Sequence, residues 1–123
     1  MMYAYIDGDD IGLKIENSFM NNDEISLKLI NNKVKEYIEE ITKYLINNKC
    51  SIIFSGADGI ICKSEVIEID KLLNFIRNIN GNLTFSIGVG ETLRDSYLAL
   101  RYAKSNGKNI ASIFKNEFKL VKY

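Results

Sequence analysis

The chain is 123 residues long, enough for one domain with a core and too short for two. Sixteen basic residues balance sixteen acidic ones and histidine is absent, so imidazole triads, His-ligated zinc and imidazole general bases are excluded, and the broad basic face that duplex nucleic acid requires is missing. No apolar run reaches the roughly 20 residues of a bilayer span, and the first residues lack a signal-peptide pattern, so a cytoplasmic protein without direct membrane association is expected. An apolar strand over residues 2–6 opens the chain and ends in Asp7-Gly8-Asp9-Asp10-Ile11-Gly12. A short helical stretch follows over 11–20. A long amphipathic helix then covers about 24–45, with Ile30, Val34, Tyr37, Ile38, Ile41 and Leu45 on one face.

Next come two β-branched runs, 51–55 and 60–63, joined by Gly56-Ala57-Asp58-Gly59 as a hairpin. Cys50 and Cys62 lie in or beside these strands and are expected to be buried free thiols. A helix over 68–79 presents Ile69, Leu72, Leu73, Ile76 and Ile79 inward, and Gly81-Asn82 ends it. A strand covers 83–89. Thr92-Leu93-Arg94-Asp95 has the pattern of a capping box, so another helix begins there. Leu93, Tyr97, Leu100 and Ala103 are its expected inner face, and Gly107 its stop. Runs 109–114 and 118–121 close the chain as short strands.

The order is βαββαβ with a further helix and short strands, all within one domain spanning residues 1–123. That is an α+β class, suited to a ferredoxin-like antiparallel sheet with helices on one face. In this topology the first and third strands are antiparallel neighbours, so the end of the first lies beside the start of the third. Asp7 and Asp58 occupy those two places. Either Asp-Gly segment alone is an ordinary turn with solvated acids. Two of them at neighbouring sheet positions point instead to a hard cation, Mg²⁺ or Mn²⁺, shared with the phosphates of a nucleotide. Gly8 and Gly12 are expected to tighten the 8–12 segment so that its N–H groups, with those of Asp10, Ile11 and Gly12 at the helix start, face phosphate. Gly56 and Gly59 keep the hairpin tip narrow. A calcium-loop reading of Asp7-x-Asp9 fails, because Ile11 and Ser18 stand where ligands are required. Lys104 and Lys108 flank the end of the last helix, where the macrodipole favours cations; beside an acidic metal site they become phosphate contacts.

Together, Tyr5-Ile6-Asp7-Gly8-Asp9-Asp10-Ile11-Gly12, Phe54-Ser55-Gly56-Ala57-Asp58-Gly59, and the stretch from Ser86-Ile87-Gly88-Val89-Gly90 through Ala103-Lys104-Ser105-Asn106-Gly107-Lys108-Asn109 resemble the palm-domain nucleotide cyclases and polymerases. That group includes the GGDEF diguanylate cyclases and the polymerase subunit of type III CRISPR complexes; the nearest likeness is to the stand-alone minimal CRISPR polymerase family, mCpol. The resemblance implies a palm fold and a nucleotidyltransferase that makes a cyclic oligonucleotide, in the first instance an ATP-derived cyclic dinucleotide, with Mg²⁺ or Mn²⁺. Asp7 and Asp58 would be catalytic, with Asp7, the Gly8 carbonyl and Asp58 as metal ligands. Asp10, Ile11, Gly12, Gly56, Lys104 and Lys108 would line the nucleotide. It further implies a homodimer, a role in antiphage defence, and a separate effector that responds to the cyclic product. The chain departs from the wider group at Gly59, where a second acid is common, so support for a second ion would fall to Asp9 or Asp10. The alternative is a nucleotide-binding sensor that has lost catalysis. The guanine-reading asparagine of diguanylate cyclases would fall near Ile15, which favours adenine.

Overall fold

The computed structural model describes residues 1–122. The chain runs β1 (Met2–Gly8), α1 (Ile11–Met20), α2 (Glu24–Asn47), β2 (Ser51–Ser55), β3 (Gly59–Ser64), α3 (Ile69–Arg77), β4 (Phe85–Gly90), α4 (Leu93–Ser105), β5 (Ala111–Lys115) and β6 (Glu117–Val121). The sheet order is β2-β3-β1-β4-β5-β6. β1 lies at its centre, antiparallel to β3 on one side and β4 on the other. This is the expected α+β ferredoxin-like core, extended by two strands. β5 runs parallel to β4 rather than antiparallel, because α4 carries the chain back along the sheet before β5 begins.

Alternation along the central strands gives the two faces different tasks. Ala4, Ile6, Ile60, Cys62, Phe85, Ile87 and Val89 form the apolar core with α2 and α3. From α2 this core takes Val34, Tyr37, Ile41 and Leu45, and from α3 it takes Ile69, Leu72, Leu73 and Ile76. Tyr37 stacks on Phe85 at 5.5 Å, and its hydroxyl accepts the Leu83 N–H at 3.3 Å. The α3 helix stops at Arg77, short of the expected Ile79, and Asn78 caps it.

The other face carries α4, held at its start by Thr92 Oγ1, which accepts the Asp95 N–H at 3.0 Å. Here the expected inner face holds at Leu100 and Ala103 and is corrected at Leu93 and Tyr97. Leu93 and Tyr97 are about half exposed, whereas Ser96, Ala99, Leu100 and Ala103 are buried. The cause lies in β4. A Cβ on Gly88 would sit 2.2 Å from the Leu100 nitrogen and 2.3 Å from the Ser96 carbonyl oxygen, and one on Gly90 would meet Asp95 at 2.5 Å. The helix therefore rests on bare strand backbone. Mostly small residues, with Leu100, occupy that contact, and Leu93 and Tyr97 turn outward.

Cys62 is fully buried and Cys50 partly so; both are free. Burial, with the neighbouring Cys50 thiol adding to it, pushes the Cys62 thiol up to about 12, far from the thiolate form that reacts. Iodoacetamide on the native protein should thus label Cys50 and leave Cys62 unmodified until denaturant is added. Labelling both at one rate, read by intact-mass spectrometry, would contradict this packing.

Candidate functional site

The site begins where β1 leaves the sheet. Asp7 is the last β1 residue paired on both sides, opposite Gly59 of β3 and Ser86 of β4. The Gly8 N–H donates to the Asp58 carbonyl at 2.9 Å, and the Asp9 N–H to the Thr84 carbonyl at 2.9 Å. The β2–β3 hairpin is thus laced to the end of β1, and the positions of Asp7 and Asp58 converge as the topology required. Gly59 is crowded as well: a Cβ there would lie 3.0 Å from Asp7 Oδ1 and 3.5 Å from the Tyr5 ring. The Tyr5 phenol is held above its usual range, first by burial and then by the negative charges of Asp7 and Asp58.

Backbone strain sits at Asp10, which adopts a left-handed conformation with φ 58° and precedes α1; aspartate is one of the few side chains that tolerate it. Neither Gly8 nor Gly12 has a positive φ, so the tight turn expected of them falls on Asp10. The N–H groups are also divided differently from the expectation. Those of Gly8 and Asp9 are consumed by the hairpin and by Thr84, and the first N–H groups of α1, from Ile11 and Gly12 onward, are those left without a side-chain cap.

Asp9 has a role the sequence reading missed. It is buried, and its carboxylate accepts from Thr84 Oγ1 at 2.8 Å, Ser86 Oγ at 2.7 Å and the Asn109 N–H at 2.9 Å, with Lys104 Nζ at 3.2 Å. It pins the 8–10 segment to β4 and to the α4–β5 turn. The available signal was Thr84 and Ser86, polar residues within an apolar strand, which need partners when buried. Asp10 is occupied too, by an ion pair with Lys108 that holds its carboxyl below the usual range. Asp9 is thus committed to holding the 8–10 segment, while Asp10, exposed and paired with Lys108, is the one of the two whose carboxylate can be released for a second ion.

Lys104 reaches into the centre of this arrangement. Its Nζ lies 2.8 Å from the Gly8 carbonyl oxygen, 3.0 Å from Asp7 Oδ2 and 3.2 Å from Asp9 Oδ1. Burial raises the Asp7 pKa, and the Lys104 ammonium opposes that rise. An oxygen cradle that already holds one positive charge is chemically suited to a hard cation. Among the described residues no three carboxylate or thiol side chains are placed to hold a metal ion by themselves. An ion here would therefore rest on Asp7, Asp58 and the Gly8 carbonyl, with phosphate and water completing its shell. Beside the cradle opens a cavity of about 750 Å³ between α1, α2 and the hairpin tip. Ile11, Gly12 and Ile15 line it from α1, Gly56 and Asp58 from the hairpin, and Asn31, Lys35 and Glu39 from α2.

Residues 3–114 match the minimal CRISPR polymerase domain. The chain belongs to that family. Minimal CRISPR polymerases fall within the nucleotide cyclase and polymerase class of palm domain, whose activity is nucleotidyl transfer and which generally works with divalent metal ions. Solved structures agree on the fold. The active GGEEF domain of a diguanylate cyclase from Vibrio cholerae is 19% identical, with a TM-score of 0.62 over 93% of this chain and 82% of that one. A diguanylate cyclase/phosphodiesterase from Caldicellulosiruptor saccharolyticus is 27% identical, with a TM-score of 0.56 over 96% and 78%. An EAL/GGDEF domain protein from M. capsulatus is 17% identical, with a TM-score of 0.64 over 93% and 84%. No curated protein matches the chain. No helix among the described residues is long and apolar enough to cross a membrane.

Proposed function

We propose that residues 1–123 act as one palm unit that joins ATP into a cyclic oligonucleotide, in the first instance a cyclic dinucleotide. The observation that carries this reading is the cation cradle of Asp7 and Gly8, tied through the Gly8 N–H to Asp58, which lines the cavity. Asp7, the Gly8 carbonyl and Asp58 would hold Mg²⁺ or Mn²⁺, which when bound supplies charge neutralisation for the triphosphate and the departing pyrophosphate. The uncapped N–H groups at the start of α1 orient phosphate oxygens, and Lys104 and Lys108 bind the β- and γ-phosphates as point charges.

The apolar walls of the cavity shelter the base from water, and Ile15 offers it no polar contact, which favours adenine over guanine. A ribose hydroxyl of one nucleotide attacks the α-phosphorus of the next. The new P–O bond forms as the α–β bridging bond breaks, the hydroxyl proton passes to water and pyrophosphate leaves; a second such transfer closes the ring and releases a second pyrophosphate. Each chain offers one cradle and the product needs two nucleotides, so two protomers facing each other form the working unit. A cytoplasmic role in antiphage defence, with a separate effector reading the product, completes the proposal.

Purified protein incubated with ATP and Mn²⁺ or Mg²⁺ should release pyrophosphate, and with GTP, CTP or UTP it should release less. With ATP it should also form a phosphatase-resistant product of cyclic mass. Bound but unconsumed ATP would identify a sensor instead, and no turnover of any nucleotide by a folded dimer would reject synthesis.

A further inference from the structure

We infer that Lys104 is an exchangeable internal cation: it fills the divalent-ion cradle in the nucleotide-free protein, resists a divalent ion that arrives alone, and yields the cradle at low metal concentration when a nucleotide brings phosphates for it to bind. This rests on the cation-site reading above. The ammonium makes its two shortest contacts with Gly8 O and Asp7 Oδ2, two of the three ligands assigned to the ion. Both cations cannot share those oxygens. Their positive charges would stand within a few ångströms in a partly buried site, where repulsion is weakly screened.

Lys104 therefore competes with any divalent ion that arrives alone. A metal–nucleotide complex relieves the competition, because its phosphates offer the ammonium new oxygens while the ion takes over Asp7 and Gly8. The surroundings are built for this exchange. When Lys104 leaves, Asp9 keeps its bonds from Thr84, Ser86 and the Asn109 N–H, so the 8–10 segment holds its shape. Asp7 has no such reserve: Lys104 is its one cationic partner among the described residues, and burial makes its bare charge costly. The cradle therefore stays occupied at every stage, by one cation or the other. Metal and nucleotide binding become positively linked, each tightening the other by the same factor.

Titration with Mn²⁺, followed by electron paramagnetic resonance, tests the exchange without reference to turnover. Lys104→Met without nucleotide should bind Mn²⁺ at least tenfold more tightly than the wild type. In the wild type, α,β-methylene ATP should raise Mn²⁺ affinity by a larger factor than it does in the variant. Equal or weaker binding by Lys104→Met would overturn the exchange while leaving the site reading intact. No Mn²⁺ binding by either protein, with or without the analogue, would overturn both. A wild-type measurement guards against a folding defect in the variant. The Lys104 ammonium signal in nitrogen-15 spectra should shift on adding Mg²⁺ with the analogue and stay unchanged with the same Mg²⁺ alone; a shift with Mg²⁺ alone also overturns the proposal.

Discussion

Asp58→Ala should fold as the wild type does and lose turnover by about three orders of magnitude. The structural duty of Asp58 belongs to its backbone, whose carbonyl accepts the Gly8 N–H at 2.9 Å, and alanine keeps that carbonyl. The substitution removes only a half-buried carboxylate at the mouth of the cavity. Stability should change by no more than about 0.5–1 kcal/mol, as for surface positions without a special contact. Activity stands differently, since a metal ligand in phosphoryl transfer contributes several kcal/mol of charge stabilisation in the transition state. That corresponds to roughly a thousandfold in rate. Pyrophosphate release at matched protein concentration, with circular dichroism melts alongside, separates the two effects. Near-normal turnover would remove Asp58 from the catalytic set.

Gly88→Ala should do the reverse and damage the fold at large. Its new methyl group would stand 2.2 Å from the Leu100 nitrogen and 2.3 Å from the Ser96 oxygen. Both are backbone atoms of a helix, so no rotamer change relieves the clash and α4 has to lift from the sheet. Overpacking of this kind costs upward of about 3 kcal/mol, a fall in melting temperature on the order of 10 °C for a domain of this size. Gly12→Ala is the natural control. Its Cβ would meet nothing within 4 Å, and the position is helical, so its stability should hold or rise by up to about 1 kcal/mol. A melting temperature for Gly88→Ala equal to that of Gly12→Ala would show that α4 does not sit as described.

The sequence made the frame of this fold legible because periodicity and turn chemistry agreed along most of it. The inward positions of α2 and α3 follow helical spacing, and the Asp7/Asp58 juxtaposition follows from strand order alone. Three features escaped, each for a physical reason. The inner face of α4 was right at Leu100 and Ala103 and wrong at Leu93 and Tyr97, because large apolar residues usually mark the buried side, whereas a glycine-floored strand favours small ones such as Ser96 and Ala99. Asp9 looked like a spare ligand because nothing local reveals its partners, Thr84, Ser86 and Asn109, which lie 75 to 100 residues away. Lys104 was legible as a phosphate contact from its helix-end position. Its placement on Asp7 and Gly8 depends on how α4 crosses the sheet, which no motif encodes.

That crossing divides the evolutionary freedom of the two halves of the molecule. On the α2 and α3 side, side chain meets side chain, and volume-preserving swaps can accumulate there with little consequence for geometry. On the α4 side the separation between helix and sheet is fixed by main-chain atoms, like a ruler with no adjustable part. The reach of the lysine at the end of α4 is therefore insulated from substitutions in the oily interior, and its contacts with Gly8 and Asp7 should survive repacking there.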